Sequence, residues 1–109
     1  MTTDAIIVWC ACANREEAAR IARALVEARL AACVSVLPEV ESIYRWQGEI
    51  ESAREVPIVI KTSEGRFAEL RDSIAAMHGY EVPEIVALPI SGGSESYLAW
   101  LREQVARPN

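Results

Sequence analysis

Read from its amino end, the chain switches repeatedly between two hydrophobic periods. Residues 5–12 (AIIVWCAC) form a continuous apolar run of strand formers, the pattern of a strand covered on both faces. Asn14 then opens a helix, and Glu17 three positions later completes a capping-box start. Ala18, Ile21, Ala22, Leu25 and Val26 keep helical spacing to about Arg29, while Arg20, Arg23 and Glu27 take the other side. Two strand-like stretches follow, 32–46 and 49–62, joined by a turn at Gln47-Gly48. Pro38 and Pro57, one in each arm, cannot donate to a ladder, so each marks a bulge or an edge. A second helix runs from about Glu64 to Met77 with Phe67, Leu70, Ile74 and Met77 on one face, and Gly79 reads as the residue closing its end. A strand over 84–90, a break at Gly92-Gly93, and a Ser94-capped helix lined by Tyr97, Leu98, Leu101 and Val105 complete the chain.

The order strand, helix, strand, strand, helix, strand, helix predicts one α+β domain over residues 1–109. Right-handed crossovers place both long helices on one face of a four-stranded antiparallel sheet. This is the ferredoxin-like βαββαβ sandwich with an extra C-terminal helix. Its odd feature is the long hairpin between the second and third strands. Arms of about 14 residues extend to about 45 Å, against roughly 20 Å for a common strand. Helices of about 15 residues, near 22 Å, cannot cover them. Another copy of the chain is the simplest cover. Tyr44 and Trp46 share one face of the tip and Ile43 and Arg45 the other, so Ile43, Tyr44 and Trp46 are expected in a seam between subunits.

Charge and cysteine content narrow the function. In 109 residues, 16 acids face 11 bases for a net charge of −5 with no basic stripe, which argues against a nucleic-acid partner. No apolar run approaches the ~20 residues of a membrane span. Residues 5–13 look like a signal core, but Asp4 precedes them and no basic segment does. Three cysteines in such a chain suit a reducing cytoplasm better than a disulfide framework. The single histidine, His78, has no Ser or Cys nucleophile within motif distance, so a non-enzymatic protein is expected.

Candidate chemistry is sparse. Cys10 and Cys12 point to the same side of a strand, and the choice is between a soft-metal pair and two small buried hydrophobes. His78 stands at a helix end, where the dipole favours a cation. Glu81 and Glu84 flank Val82-Pro83 as either a solvated turn or part of a cation site, and Cys33 reads as core.

Several stretches taken together resemble the CutA divalent-cation tolerance family. They are Leu30-Ala31-Ala32-Cys33-Val34, the Ser42–Ile50 tip, Ile60-Lys61-Thr62, His78 through Ile85, Leu88-Pro89-Ile90 and Tyr97-Leu98-Ala99-Trp100-Leu101. The resemblance implies a homotrimer whose long hairpins pair between neighbours. It implies a role in tolerance of divalent cations such as copper, with weak Cu(II) binding at Cys10, His78 and Glu84. No cofactor beyond such a cation is required. Gly79 stands where the family usually has proline, which is expected to loosen the backbone beside the histidine. The alternative is a PII-like trimeric signalling or interaction scaffold that binds a small ligand between subunits.

Overall fold

The computed structural model describes residues 3–107. Its elements are β1 (Ala5–Cys12), α1 (Arg15–Glu27), β2 (Cys33–Val36), β3 (Val40–Trp46), β4 (Glu49–Ser63), α2 (Phe67–Met77), β5 (Ile85–Pro89) and α3 (Glu95–Gln104). A 3₁₀ turn over Glu64–Arg66 leads into α2. The sheet runs β2-β4-β1-β5, with β3 pairing β4 beyond β2, and every pairing is antiparallel. This is the expected mixed fold with an antiparallel sheet. Among the described residues no helix is long and apolar enough to cross a membrane.

Period two in β1 sorts its side chains. Ile6, Val8, Cys10 and Cys12 face the helices and join Ile21, Leu25, Leu70, Ile74, Ile58 and Ile60 in one buried cluster. The other face is covered at one end only, where Ala5 and Ala32 meet Leu98, Leu101 and Val105 around α3. Beyond α3, Ile7 and Trp9 are half-buried, and the β5 residues opposite them, Leu88 and Val86, are 53% and 48% exposed. An apolar sheet face left open in this way is a second surface that needs a cover. Cys33, expected in the core, is half-buried and stands directly opposite Lys61.

The predicted second strand is two strands. β2 ends at Val36, paired with Ile58, and β3 begins at Val40, paired with Glu55. Pro57 lies at the break between them, with its carbonyl accepting from the Leu37 N–H. Pro38 sits in the gap and donates nothing, so both prolines mark the interruption. Beyond it the ribbon projects alone. β4 has 15 residues, about 50 Å of strand, and the molecule measures 45 Å along its longest axis. Gln47 (φ 50°) and Gly48 (φ 84°) both take positive φ at the tip, as a two-residue turn matched to strand twist requires. Ile43 and Ile50, 71% and 69% exposed, lie on one face of the ribbon, and Tyr44 and Trp46, 44% and 42%, on the other.

α1 ends in a Schellman motif without its usual glycine. Leu30 N–H donates to the Leu25 carbonyl and Arg29 N–H to that of Val26, with Arg29 held at φ 59°. A side chain in that region costs roughly 1 kcal/mol. The exposed Arg29 guanidinium recovers part of this by donating to Gln104 O at 3.2 Å. Arg29→Gly is therefore expected to raise the unfolding free energy by about 0.5 kcal/mol, measured as a higher denaturant midpoint.

Candidate metal centre

Four segments meet at one corner of the domain: the end of β1, the first turn of α1, the end of α2 and the loop after it. Asn14 begins α1 because its side chain accepts from the Glu17 N–H at 2.9 Å. Glu17 in turn accepts from the Ala13 N–H through Oε1 and from the Gly79 N–H through Oε2, each at 2.9 Å. One carboxylate thus closes the helix start and ties the α2 exit to it.

α2 does not end as expected. His78, its C-cap, is extended (φ −79°, ψ 143°), and its N–H donates to the Ile74 carbonyl. Gly79 does not take positive φ, so it is not a left-handed cap. A Cβ there would stand 3.0 Å from Glu17 Oε2, so a larger residue would push that carboxylate back by a few tenths of an ångström. Nor does the glycine loosen the chain beside His78. Its N–H, which a proline would lack, is the tether to Glu17.

The His78 ring, turned inward, has both nitrogens engaged. Nδ1 accepts from the Tyr80 N–H at 3.1 Å, so the proton is on Nε2, which donates to the Ala11 carbonyl at 2.8 Å. Glu17 Oε1 is 3.7 Å from Nε2, and the Tyr80 ring leans on the imidazole at 4.7 Å. His78 is therefore fastened by hydrogen bonds in place of the charge–dipole contact read from its position at a helix end.

Cys10 and Cys12 are fully buried beside it. One donor atom from each of Cys10, Cys12 and His78 can be chosen so that all lie within 4.8 Å of one another. Two ligands held at about 2.3 Å by one ion can stand no more than about 4.6 Å apart, so the three nearly close on a common centre. Hydrogen bonding with Cys12, and then burial, push the Cys10 thiol far above its ordinary range, and the Glu17 and Glu84 charges add to this. The same hydrogen bond draws Cys12 down, against burial and the charges of Glu17 and Glu55.

Of the three expected ligands, Cys10 and His78 come together. Glu84 stays on the exposed loop, outside this donor set, and acts on Cys10 through its charge. Sequence reasoning weighed Cys12 but left it out of the expected ligands, and it missed Glu17 as the partner of Gly79. The signal for Cys12 was the i, i+2 spacing within a strand. Nothing in the sequence pairs Glu17 with Gly79.

On the outer side of the same loop lies a cavity of about 790 Å³. Trp9, Tyr44, Trp46, Glu55, Tyr80 and Glu84 are among its walls, so it joins the base of the hairpin to the His78 loop.

The family model described as "CutA1 divalent ion tolerance protein" matches residues 6–104. The Thermus thermophilus "Divalent-cation tolerance protein CutA" is 55% identical over 89 residues, 81% of this chain and 86% of that protein. "Protein CutA, chloroplastic" of Arabidopsis thaliana is 42% identical over 101 residues, 93% of this chain, and the chain spans only 56% of its length. The solved "Periplasmic divalent cation tolerance protein CutA" of Archaeoglobus fulgidus superposes with a TM-score of 0.90 at 40% identity, covering 93% of this chain and 98% of that one.

Proposed function

The chain belongs to the CutA1 divalent ion tolerance family, and from that premise we propose that it is a non-enzymatic homotrimer that binds a divalent copper ion at the Cys10–His78 corner. The reading is carried by one observation, the convergence of Cys10, Cys12 and His78 donor atoms within 4.8 Å. Thiolate and imidazole together suit copper, and Glu84 supplies negative charge from the exposed side. The tolerance role rests on the relatives' names. The trimer rests on the need to cover the projecting ribbon and the open sheet face. A cytoplasmic location is favoured by three free thiols.

The hydrogen bonds of His78 set the character of binding. For an ion to bind at Nε2, the ring proton must pass to Nδ1, where it would face the Tyr80 N–H, donor against donor. The Gly79–Tyr80 segment must then shift, and affinity falls by the cost of that shift. Anaerobic calorimetric titration of Cu(II) into the wild type, His78→Ala and Cys10→Ser tests the reading. His78→Ala is expected to weaken binding at least tenfold, and Cys10→Ser to shift and weaken any sulfur-to-copper charge-transfer band, Cys12 remaining as the second sulfur. Equal affinities and an unchanged spectrum in both variants would remove this corner as the site.

A further inference from the structure

Cys12 gives the corner a second sulfur, and that changes which copper ion the corner suits. Cys10 and Cys12 lie two positions apart in β1, so both side chains take the face packed against the helices. Across the ladder they stand opposite Ile58 and Val56, which makes their surroundings apolar. Both cysteines are 0% exposed, and the His78 ring is fully enclosed. The donor atoms that come within 4.8 Å of one another are therefore two sulfurs and one imidazole nitrogen, shut away from solvent.

That set is a poor match for the divalent ions. Cu(II) prefers nitrogen and oxygen donors in a tetragonal arrangement, and a closed zinc site takes four ligands. The carboxylate oxygen beside the ring, Glu17 Oε1 at 3.7 Å from Nε2, already accepts from the Ala13 N–H. Its companion oxygen is held by the Gly79 N–H, and Glu84 stays outside on the exposed loop. A soft monovalent ion fits better. It favours thiolate sulfur, needs only two or three donors, and costs less to desolvate in an apolar corner than a divalent ion does.

We propose that the corner holds monovalent copper, Cu(I), with Cys10 and Cys12 as its two sulfur ligands and His78 as the third donor. The inference rests on the reading of this corner as the copper site, and it names the oxidation state and the ligand that set its selectivity. The ion enters already reduced, so no electron is transferred, and each thiol gives up its proton to solvent as it ligates. Without Cys12 the corner keeps one sulfur and one nitrogen, a pair that still serves Cu(II) but no longer encloses Cu(I).

Anaerobic competition between the full chain and bicinchoninate, a Cu(I) chelator, tests it, together with X-ray absorption of the copper-loaded wild type. One Cu(I) per chain is expected, with two sulfurs around each copper. Cys12→Ala exchanges one small buried residue for another; it is expected to weaken Cu(I) binding about a hundredfold and Cu(II) binding less than tenfold. Cys33→Ser, in β2 opposite Lys61, and Glu84→Gln are expected to leave Cu(I) affinity unchanged. Equimolar Zn(II) should not displace the ion. Absence of Cu(I) uptake by the wild type, a single sulfur per copper, or equal Cu(I) affinity in Cys12→Ala would each overturn the proposal. Equal weakening by Cys33→Ser, or displacement by equimolar Zn(II), would reduce the effect to unspecific thiol binding and also overturn it. Should Cys12→Ala fail to fold, the sulfur count in the wild type decides by itself. Cu(II) binding that responds to His78→Ala, beside a single sulfur on Cu(I), would sink this inference alone. Two sulfurs on Cu(I), beside a Cu(II) affinity that His78→Ala leaves unchanged, would sink only the divalent reading.

Discussion

Trp46→Asp is expected to take the proposed trimer apart. Trp46 sits next to the hairpin turn, 42% exposed, on the same ribbon face as Tyr44 and directly opposite Glu49. In a lone chain an aspartate there would be a tolerable surface change. In a seam it would be a carboxylate buried without a partner, at a cost of roughly 3–5 kcal/mol in each subunit, with the Glu49 charge facing it. That penalty recurs in every seam of a closed ring. Light scattering at micromolar protein is expected to fall from the trimer mass to that of the monomer, and thermal unfolding of the variant to lose its dependence on concentration. A variant that scatters as the wild type does would place the tip outside the seam. Ile43→Asp, on the other ribbon face at 71% exposure, is expected to act in the same direction, because both faces of the ribbon carry exposed apolar side chains that the proposed trimer would cover.

The second large effect is expected at Glu17. Its carboxylate accepts from Ala13 and Gly79 at once and lies in the first turn of α1, where negative charge meets the helix dipole. Glu17→Ala leaves two backbone donors without their acceptor and frees the loop that carries His78. A loss of about 2–3 kcal/mol in unfolding free energy is expected, with faster amide exchange at Gly79 and Tyr80. Glu17→Gln keeps one acceptor oxygen and is expected to fall between. Denaturant unfolding with amide exchange checks this, and unchanged exchange at Gly79 would mean that the loop is held by other contacts.

What the sequence made legible follows from periodicity. The run 5–12, the helical stripe from Ala18 to Val26 and the Asn14–Glu17 start each carry a local signal, and each lies where local physics put it. The hairpin was legible through its length. The split at Leu37–Glu39 was visible only as two prolines that could equally have marked an edge. The end of α2 misled, because glycine after a helix usually means left-handed backbone, whereas here Gly79 answers a carboxylate 62 positions earlier in the chain. The site shows the same division. Alternation placed Cys10 and Cys12 on one side of a strand, but the approach of His78 to them depends on how the end of α2 crosses the end of β1. No local pattern encodes that crossing. Glu55 is the clearest case: in sequence it is one of 16 acidic residues, and only the fold leaves it buried against the aromatic wall.

Sedimentation equilibrium of the wild type between about 1 and 50 µM tests the central claim most directly. In the proposed trimer other copies cover the projecting ribbon and the open sheet face, so a single species near three times 12.0 kDa, about 36 kDa, is expected across the whole range. A stable 12.0 kDa particle at those dilutions would contradict it.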